Sequence, residues 1–406
     1  MQKNSSGAAD GHGALGKLPR GPRGEDHGDE WVAARRAAAE AAAGGALPHL
    51  AGLGVPNPSA AGNVESLVGW AQVPVGLAGP LRLSGGDGES EVYVPMATTE
   101  GALVASTSRG MSLIAAGGGA WARVTEEELS QHPVLVYGSA AEALAAARLA
   151  EASEARFMEM VAGITRHGAL VRLETQVLGR RLLLRLLFTT GDAIGINMAA
   201  HGAEICSRDL AERTGALERF VHGQDVEKRA NARALVEGRG RSVVAEAVVP
   251  REALAAKART TPEALVRVLR TYAVGYAQLG TQNWTVQAAN TIAAVFLACG
   301  QDVAYVTECA TGILDFDVTK EGDLTASVTL PSMLVGTVGG GSGLGTAAEC
   351  LRILGCEGAG RANRLAEIIA ATVLAGDLSL MAAFASHEFV AAHEALGRNR
   401  PAGGGG

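Results

Sequence analysis

No CxxC pair joins any of the five cysteines (Cys206, Cys299, Cys309, Cys350, Cys356), and no His-rich segment accompanies them. Neither a zinc site nor a disulfide framework is therefore indicated, and no metal is expected. The thiols read as small core residues in a reducing cytosol. A dense Lys/Arg run is also missing, and the net charge of −7 with a pI near 5.8 argues against a nucleic-acid partner. No apolar run reads as long enough for a membrane span, and the N-terminus is polar and glycine-rich rather than signal-like, so no membrane partner is expected. The GxGxxG fingerprint and the Walker pattern are absent too, which removes the ordinary dinucleotide motif and ATP chemistry. What remains is a chain of 406 residues, 48% hydrophobic and 19% charged. That is enough for an extensive core and for more than one domain.

Residues 1–28 mix Gly, Pro, Ser and charges as a disordered leader does. Within 29–62, Glu30 to Ala43 is alanine-rich and should be a helix closed by Gly44 and Gly45. The segment 73–86, VPVGLAGPLRLSGG, is broken by Gly and Pro into short strands and turns. Ala140 to Ala152 reads as a helix and Arg180 to Thr189 as a strand packed against helices. Further helices are expected at Pro262 to Gln278, Ala288 to Ala298, Asn363 to Thr372 and Ser379 to Leu396. Residues 399–406 end as a flexible tail.

Four segments carry the chemistry: PMATTEGALVASTSRG (95–110), EKRANARALVEGRGRSVVAEA (227–247), ANTIAAVFLACGQD (289–302) and GTVGGGSGLG (336–345). Together they resemble the soluble, class I-like catalytic part of the 3-hydroxy-3-methylglutaryl-CoA reductase family, from about Asn63 to about Arg398. The resemblance implies an α+β fold. A large helix-rich domain (63–123 and 219–398) would bind substrate and CoA, with a small ferredoxin-like α/β cofactor-binding domain (124–218) inserted in it. It further implies a cytoplasmic homodimer or higher homo-oligomer with its site at a subunit interface, a CoA thioester substrate and NADPH as donor.

Hydride attack on a thioester carbonyl builds an oxyanion, so the site needs a fixed positive charge. Lys228 stands where the family carries its catalytic lysine; without its motif it would read as a solvated surface lysine. Glu100 would protonate the alkoxide in the aldehyde step. Asp302, in the GQD turn, would hold Lys228 and by like charge favour the acid form of Glu100. Their bland readings are a helix-start carboxylate and a turn former. His393, in FVAAHEALGRN, matches the histidine that protonates the departing thiolate, while His387 lies at the wrong spacing on the same helix.

For the cofactor, Asp192, Gly195, Asn197 and Met198 match the family's DAMGMNM-type segment, where glycine admits a dinucleotide to a helix start. Arg166 falls near the adenosine phosphate of NADP, with a plain strand-edge charge as the alternative. Gly339 and Gly340 allow close backbone approach. Ser106 and Arg109 fall where the family contacts CoA phosphates, and Arg259 stands where it has a lysine. Departures cluster in the pocket that reads the acyl carboxylate. His222 replaces a serine, Glu227-Lys228-Arg229 replaces Asp-Lys-Lys, Gln131 replaces an arginine, Gln287 replaces a histidine near Asn290, and Arg270, Thr271 or Tyr272 occupies the distant lysine position. Two explanations stand beside each other: a reductase of another acyl-CoA or carrier-bound thioester, or drift with Arg229 and Arg270 still binding the same carboxylate. A catalytically silent CoA-thioester-binding homologue is the alternative of another class.

Overall fold

A computed structural model describes residues 15–22, 29–51, 63 and 71–386. Eleven strands join in one sheet among the described residues: β1 (Val75–Gly85), β2 (Gly88–Ala97), β3 (Ala120–Gln131), β4 (Val134–Val136), β5 (Ala169–Leu178), β6 (Arg181–Thr189), β7 (Glu218–Phe220), β8 (Gly240–Val249), β9 (Asn283–Trp284), β10 (Gly312–Val318) and β11 (Leu324–Met333). The fold is mixed α/β.

The larger part runs β3–β8–β11–β10–β9, with the β1–β2 hairpin joined to β3 through the parallel pairs Leu83 with Ala120 and Ser84 with Trp121. The short strands expected across 73–86 are in fact one strand. Pro80 is absorbed at an irregularity between Ala78 and Leu81, where the ladder skips and the missing N–H costs nothing. In the smaller part, antiparallel neighbours give the order β7–β4–β6–β5. Leu182, Leu184, Leu186 and Phe188 share one face of β6 and pack with Ala143, Ala147, Phe157, Ala203 and Leu210 of three covering helices. Strand β3 belongs to both parts. Its first residues pair with β8 as far as Glu128, and Leu129 to Gln131 pair with β6.

At the centre lies the helix Ala362–Ala385, which makes one element of the helix expected at 363–372 and the described part of that expected at 379–396. Gly376 between them sits where a Cβ would meet Thr291 Oγ1 at 3.0 Å and Gln287 Nε2 at 3.1 Å, so the close approach of the next helix favours glycine there. This helix is long and apolar enough to cross a membrane, contrary to the sequence expectation, yet 83% of its apolar window lies inside the protein. Its polar side chains explain why. Glu367 accepts N–H bonds from Gly86 (2.8 Å) and Val124 (3.3 Å), and Asp377 accepts them from Val286 and Gln287, so the helix holds distant loops rather than facing lipid. Against it lies the helix Leu103–Ala116, where a Cβ on Gly110 would fall 1.8 Å from the Ala375 carbonyl oxygen. The two backbones touch, and only glycine fits.

Residues 15–22, within the stretch expected to be a disordered leader, are docked on the hairpin. The Leu15 N–H donates to Glu91, and Tyr93 donates to the Gly16 carbonyl. The remaining leader, most of 52–70 and residues 387–406 lie outside the described residues.

Candidate active site

Lys228 sits in the connection between β7 and β8 with φ of 59°, a left-handed conformation that a lysine adopts only under constraint. The constraint is visible. Its N–H donates to Glu308 Oε2 at 3.0 Å, and Glu308 is buried against Arg239 at 3.1 Å. Burial pushes the Glu308 carboxyl above its usual range despite that guanidinium. The Lys228 ammonium lies 3.0 Å from Asp302 Oδ2 and 4.9 Å from the centre of the Tyr305 ring. Both carboxylate and ammonium are about two-fifths exposed, so the pair is open to a ligand. Beside them, Glu227 accepts from Arg239 (3.1 Å), Tyr305 Oη (3.1 Å) and Gln131 (3.3 Å).

Glu100 lies in the turn between β2 and the helix Leu103–Ala116, exposed, its N–H donating to Thr98 Oγ1. The Asn290 amide donates to its carboxylate at 3.3 Å. Asn290 stands in the first turn of the helix Ala288–Ala298, and that helix start is held by Asp377, which accepts the Gln287 N–H at 2.8 Å and the Val286 N–H at 3.1 Å. Among the described residues, no hydrogen bond or ion pair joins Glu100 and Asn290 to the Lys228 cluster. His393 lies outside the described residues.

The glycine-rich segments meet. Gly195 (φ 80°) begins the helix Ile196–Thr214 without a side-chain cap, leaving first-turn N–H groups available to an anion, with Asn197 exposed and Met198 against Gly168. Gly336 packs on Asp192 to Ile194 so closely that a Cβ would meet the Ile194 nitrogen at 2.8 Å, while Gly339 and Gly340 have open space before them. Such a helix start beside open backbone fits a dinucleotide phosphate. Asp192 itself is turned inward. Burial raises its carboxyl, but N–H groups of Gly360, Ala362 and Arg361 outweigh that and hold it below its usual range. Gln301, next to Asp302, bonds both N–H and C=O of Gly336 at 2.9 Å, tying the GQD turn to the same loop. Arg166 is exposed in the turn before β5, so it is not on a strand edge.

Ser106 and Arg109 converge on Ser379 of the central helix, at 3.0 Å and 2.9 Å, and Arg259 caps the helix Arg251–Ala258 with φ of 49°. Of the positions expected around the acyl carboxylate, Gln131 and Glu227 meet beside Lys228, whereas among the described residues no hydrogen bond or ion pair joins His222, Arg270 or Gln287 to them. His222 is exposed, Arg270 is exposed on the helix Pro262–Leu279, and Arg229 bonds Asp225 at 2.7 Å. Gln287 is buried at a helix start, its amide given to the Gly376 carbonyl. Sequence reasoning missed Tyr305, Arg239, Glu308 and Asp377. An available signal was the buried charge of EGRG and VTEC so near Lys228 and Asp302.

The profile of the hydroxymethylglutaryl-coenzyme A reductase family matches residues 31–398. Among curated proteins, the 3-hydroxy-3-methylglutaryl-coenzyme A reductase of Methanothermobacter thermautotrophicus is 41% identical over 91% of this chain and 94% of its own. That of Pyrococcus abyssi is 39% identical over 92% and 94%, and that of Haloferax volcanii 41% over 92% and 95%. Among solved structures, the class II 3-hydroxy-3-methylglutaryl-CoA reductase of Streptococcus pneumoniae bound to NADPH in open conformations is similar in fold. It gives a TM-score of 0.67 at 22% identity, covering 80% of this chain and 88% of that one.

Proposed function

This chain belongs to the hydroxymethylglutaryl-coenzyme A reductase family, and from that premise we propose how its residues divide the work. It is an NAD(P)H-dependent oxidoreductase that reduces 3-hydroxy-3-methylglutaryl-CoA to mevalonate and CoA. The observation that carries the assignment of roles is the half-open ion pair of Lys228 and Asp302 at 3.0 Å.

When bound, the dihydronicotinamide supplies the hydride in both reductions. Lys228 holds the charge that grows on the acyl oxygen, first toward the hemithioacetal and then toward the alcohol. Asp302 keeps the ammonium in place between steps. Glu100, oriented by Asn290, delivers a proton to the alkoxide. His393 protonates the departing thiolate so that the thioester does not re-form.

The segment from β4 to β7 serves as a ferredoxin-like cofactor unit inserted in the larger domain, a reading supported by its strand order and its helices on one face. Gly195, Asn197, Met198, Gly339 and Gly340 receive the dinucleotide, Asp192 shapes the loop, and Arg166 favours NADPH over NADH. Ser106, Arg109 and Arg259 take the CoA phosphates. The working enzyme is a cytoplasmic homo-oligomer with its site between subunits.

The test follows absorbance of NADPH, and of NADH, with 3-hydroxy-3-methylglutaryl-CoA, together with the thiol released. Two nucleotides oxidised per thiol are expected, with turnover lost in Lys228→Met. Binding of the thioester without nucleotide oxidation would leave only the silent homologue.

A further inference from the structure

One short turn brings two different groups to the same ammonium. Asp302 caps the 3-10 turn Val303–Tyr305, its Oδ1 accepting the Ala304 N–H at 3.0 Å, while Oδ2 takes Lys228. Three residues on, the face of the Tyr305 ring lies 4.9 Å from Lys228 Nζ. Tyr305 is 3% exposed, and its hydroxyl donates to Glu227 at 3.1 Å. The ring cannot swing away. Glu227 is in turn held by Arg239, and Glu308 fixes the Lys228 backbone in its left-handed conformation. Every piece that touches Lys228 is anchored, yet lysine is a long, flexible side chain.

We propose that Tyr305 is a positioning residue for the reduction, its ring face holding the Lys228 ammonium where charge develops on the substrate oxygen. The proposal rests on Lys228 as the group that stabilises that charge. A ring face suits the task better than a second carboxylate. It attracts a cation through its quadrupole but presents no oxygen to compete with the substrate oxyanion for the ammonium protons. Asp302 supplies the one strong hydrogen bond, and the ring fixes direction. The Tyr305 hydroxyl has a separate duty, orienting Glu227.

The experiment uses the full-length enzyme with position 305 as tyrosine, phenylalanine, trifluorophenylalanine or leucine. Fluorination empties the ring face with little change of shape, so the fold is preserved even if Tyr305→Leu fails to fold. Tyr305→Phe should lower kcat by less than about fivefold. Trifluorophenylalanine should lower it by about a further tenfold, with KM for both substrates within about threefold of the phenylalanine enzyme. A positioning role in the transition state predicts that split. Equal kcat for the phenylalanine and trifluorophenylalanine enzymes would overturn the proposal, as would the whole loss appearing in Tyr305→Phe. Lys228→Met runs alongside: if it turns over normally, the role of Lys228 falls, whereas its loss with an inert fluorine series removes only Tyr305.

Discussion

At the scale of the residue, the acyl pocket poses the sharpest question. Arg239 is buried and already shared between Glu227 and Glu308, so it cannot turn to a substrate carboxylate without stranding two carboxylates. Arg229 differs. Its partner Asp225 and its own guanidinium are both more than half exposed, and such a pair is worth about 0–1 kcal/mol. On the reading that Arg229 receives the acyl carboxylate, a bidentate substrate carboxylate would displace Asp225 from it. Arg229→Ala should therefore raise KM for 3-hydroxy-3-methylglutaryl-CoA by at least about tenfold and reduce its advantage over an uncharged acyl-CoA of similar size. Should kcat/KM for the two thioesters keep the same ratio in parent and variant, Arg229 is not the reader, and Arg270 becomes the remaining candidate. The motif around Lys228 made its charge legible in the sequence. Its restraint was not, because Tyr305, Glu308 and Arg239 act through contacts that only the fold creates.

At the scale of the element, the central helix carries a buried acid whose charge state matters. Asp377 is fully buried, and burial pushes its carboxyl up to about 7 against the two backbone donors that lower it. Because that value lies above the ordinary 3.8, the protonated form is favoured on folding. Its contribution to stability is complete below about pH 4 and is lost as pH rises through about 7. Between about pH 5 and pH 8 this amounts to roughly 2–3 kcal/mol, and Asp377→Asn should lack that component of the slope. Urea unfolding of both proteins at the two pH values checks it; parallel slopes would dismiss the assignment. Helices such as Ala140–Ala152 and Ala288–Ala298 follow directly from local composition and periodicity. The long helix did not, because Gly376 and Asp377 look like a break until Val286, Gln287 and the helix Leu103–Ala116 supply their partners. Likewise Pro80 hid the continuity of β1, since no sequence rule says that a partner strand will accommodate it.

At the scale of the whole molecule, the question is how the Gly195 loop, proposed to receive the dinucleotide, stays aligned with the Lys228 ammonium. Strand β3 passes through both, and Arg241 at the start of β8 closes the gap. Almost wholly buried, its guanidinium donates to the Gly191 carbonyl beside the Gly195 loop, to Val335 O at 3.0 Å beside the Gly336 loop, and to Asn363 Oδ1 at 2.6 Å in the central helix. Glu127 balances its charge at 3.5 Å. Three acceptors from three segments match the rigid fork of arginine and exceed what one ammonium can span in these directions. Arg241→Lys should therefore behave nearly as badly as Arg241→Met. Both should lose about 3 kcal/mol or more of stability and, on the proposed placing of the dinucleotide, raise KM for the nicotinamide nucleotide by at least about tenfold, because the Gly195 loop is released from the GTVGGG segment. Under conditions where each variant remains folded, steady-state kinetics with varied nucleotide decide the matter. A lysine variant with parental KM and parental unfolding midpoint would show that charge alone suffices, and that the two parts are aligned by β3 without the fork.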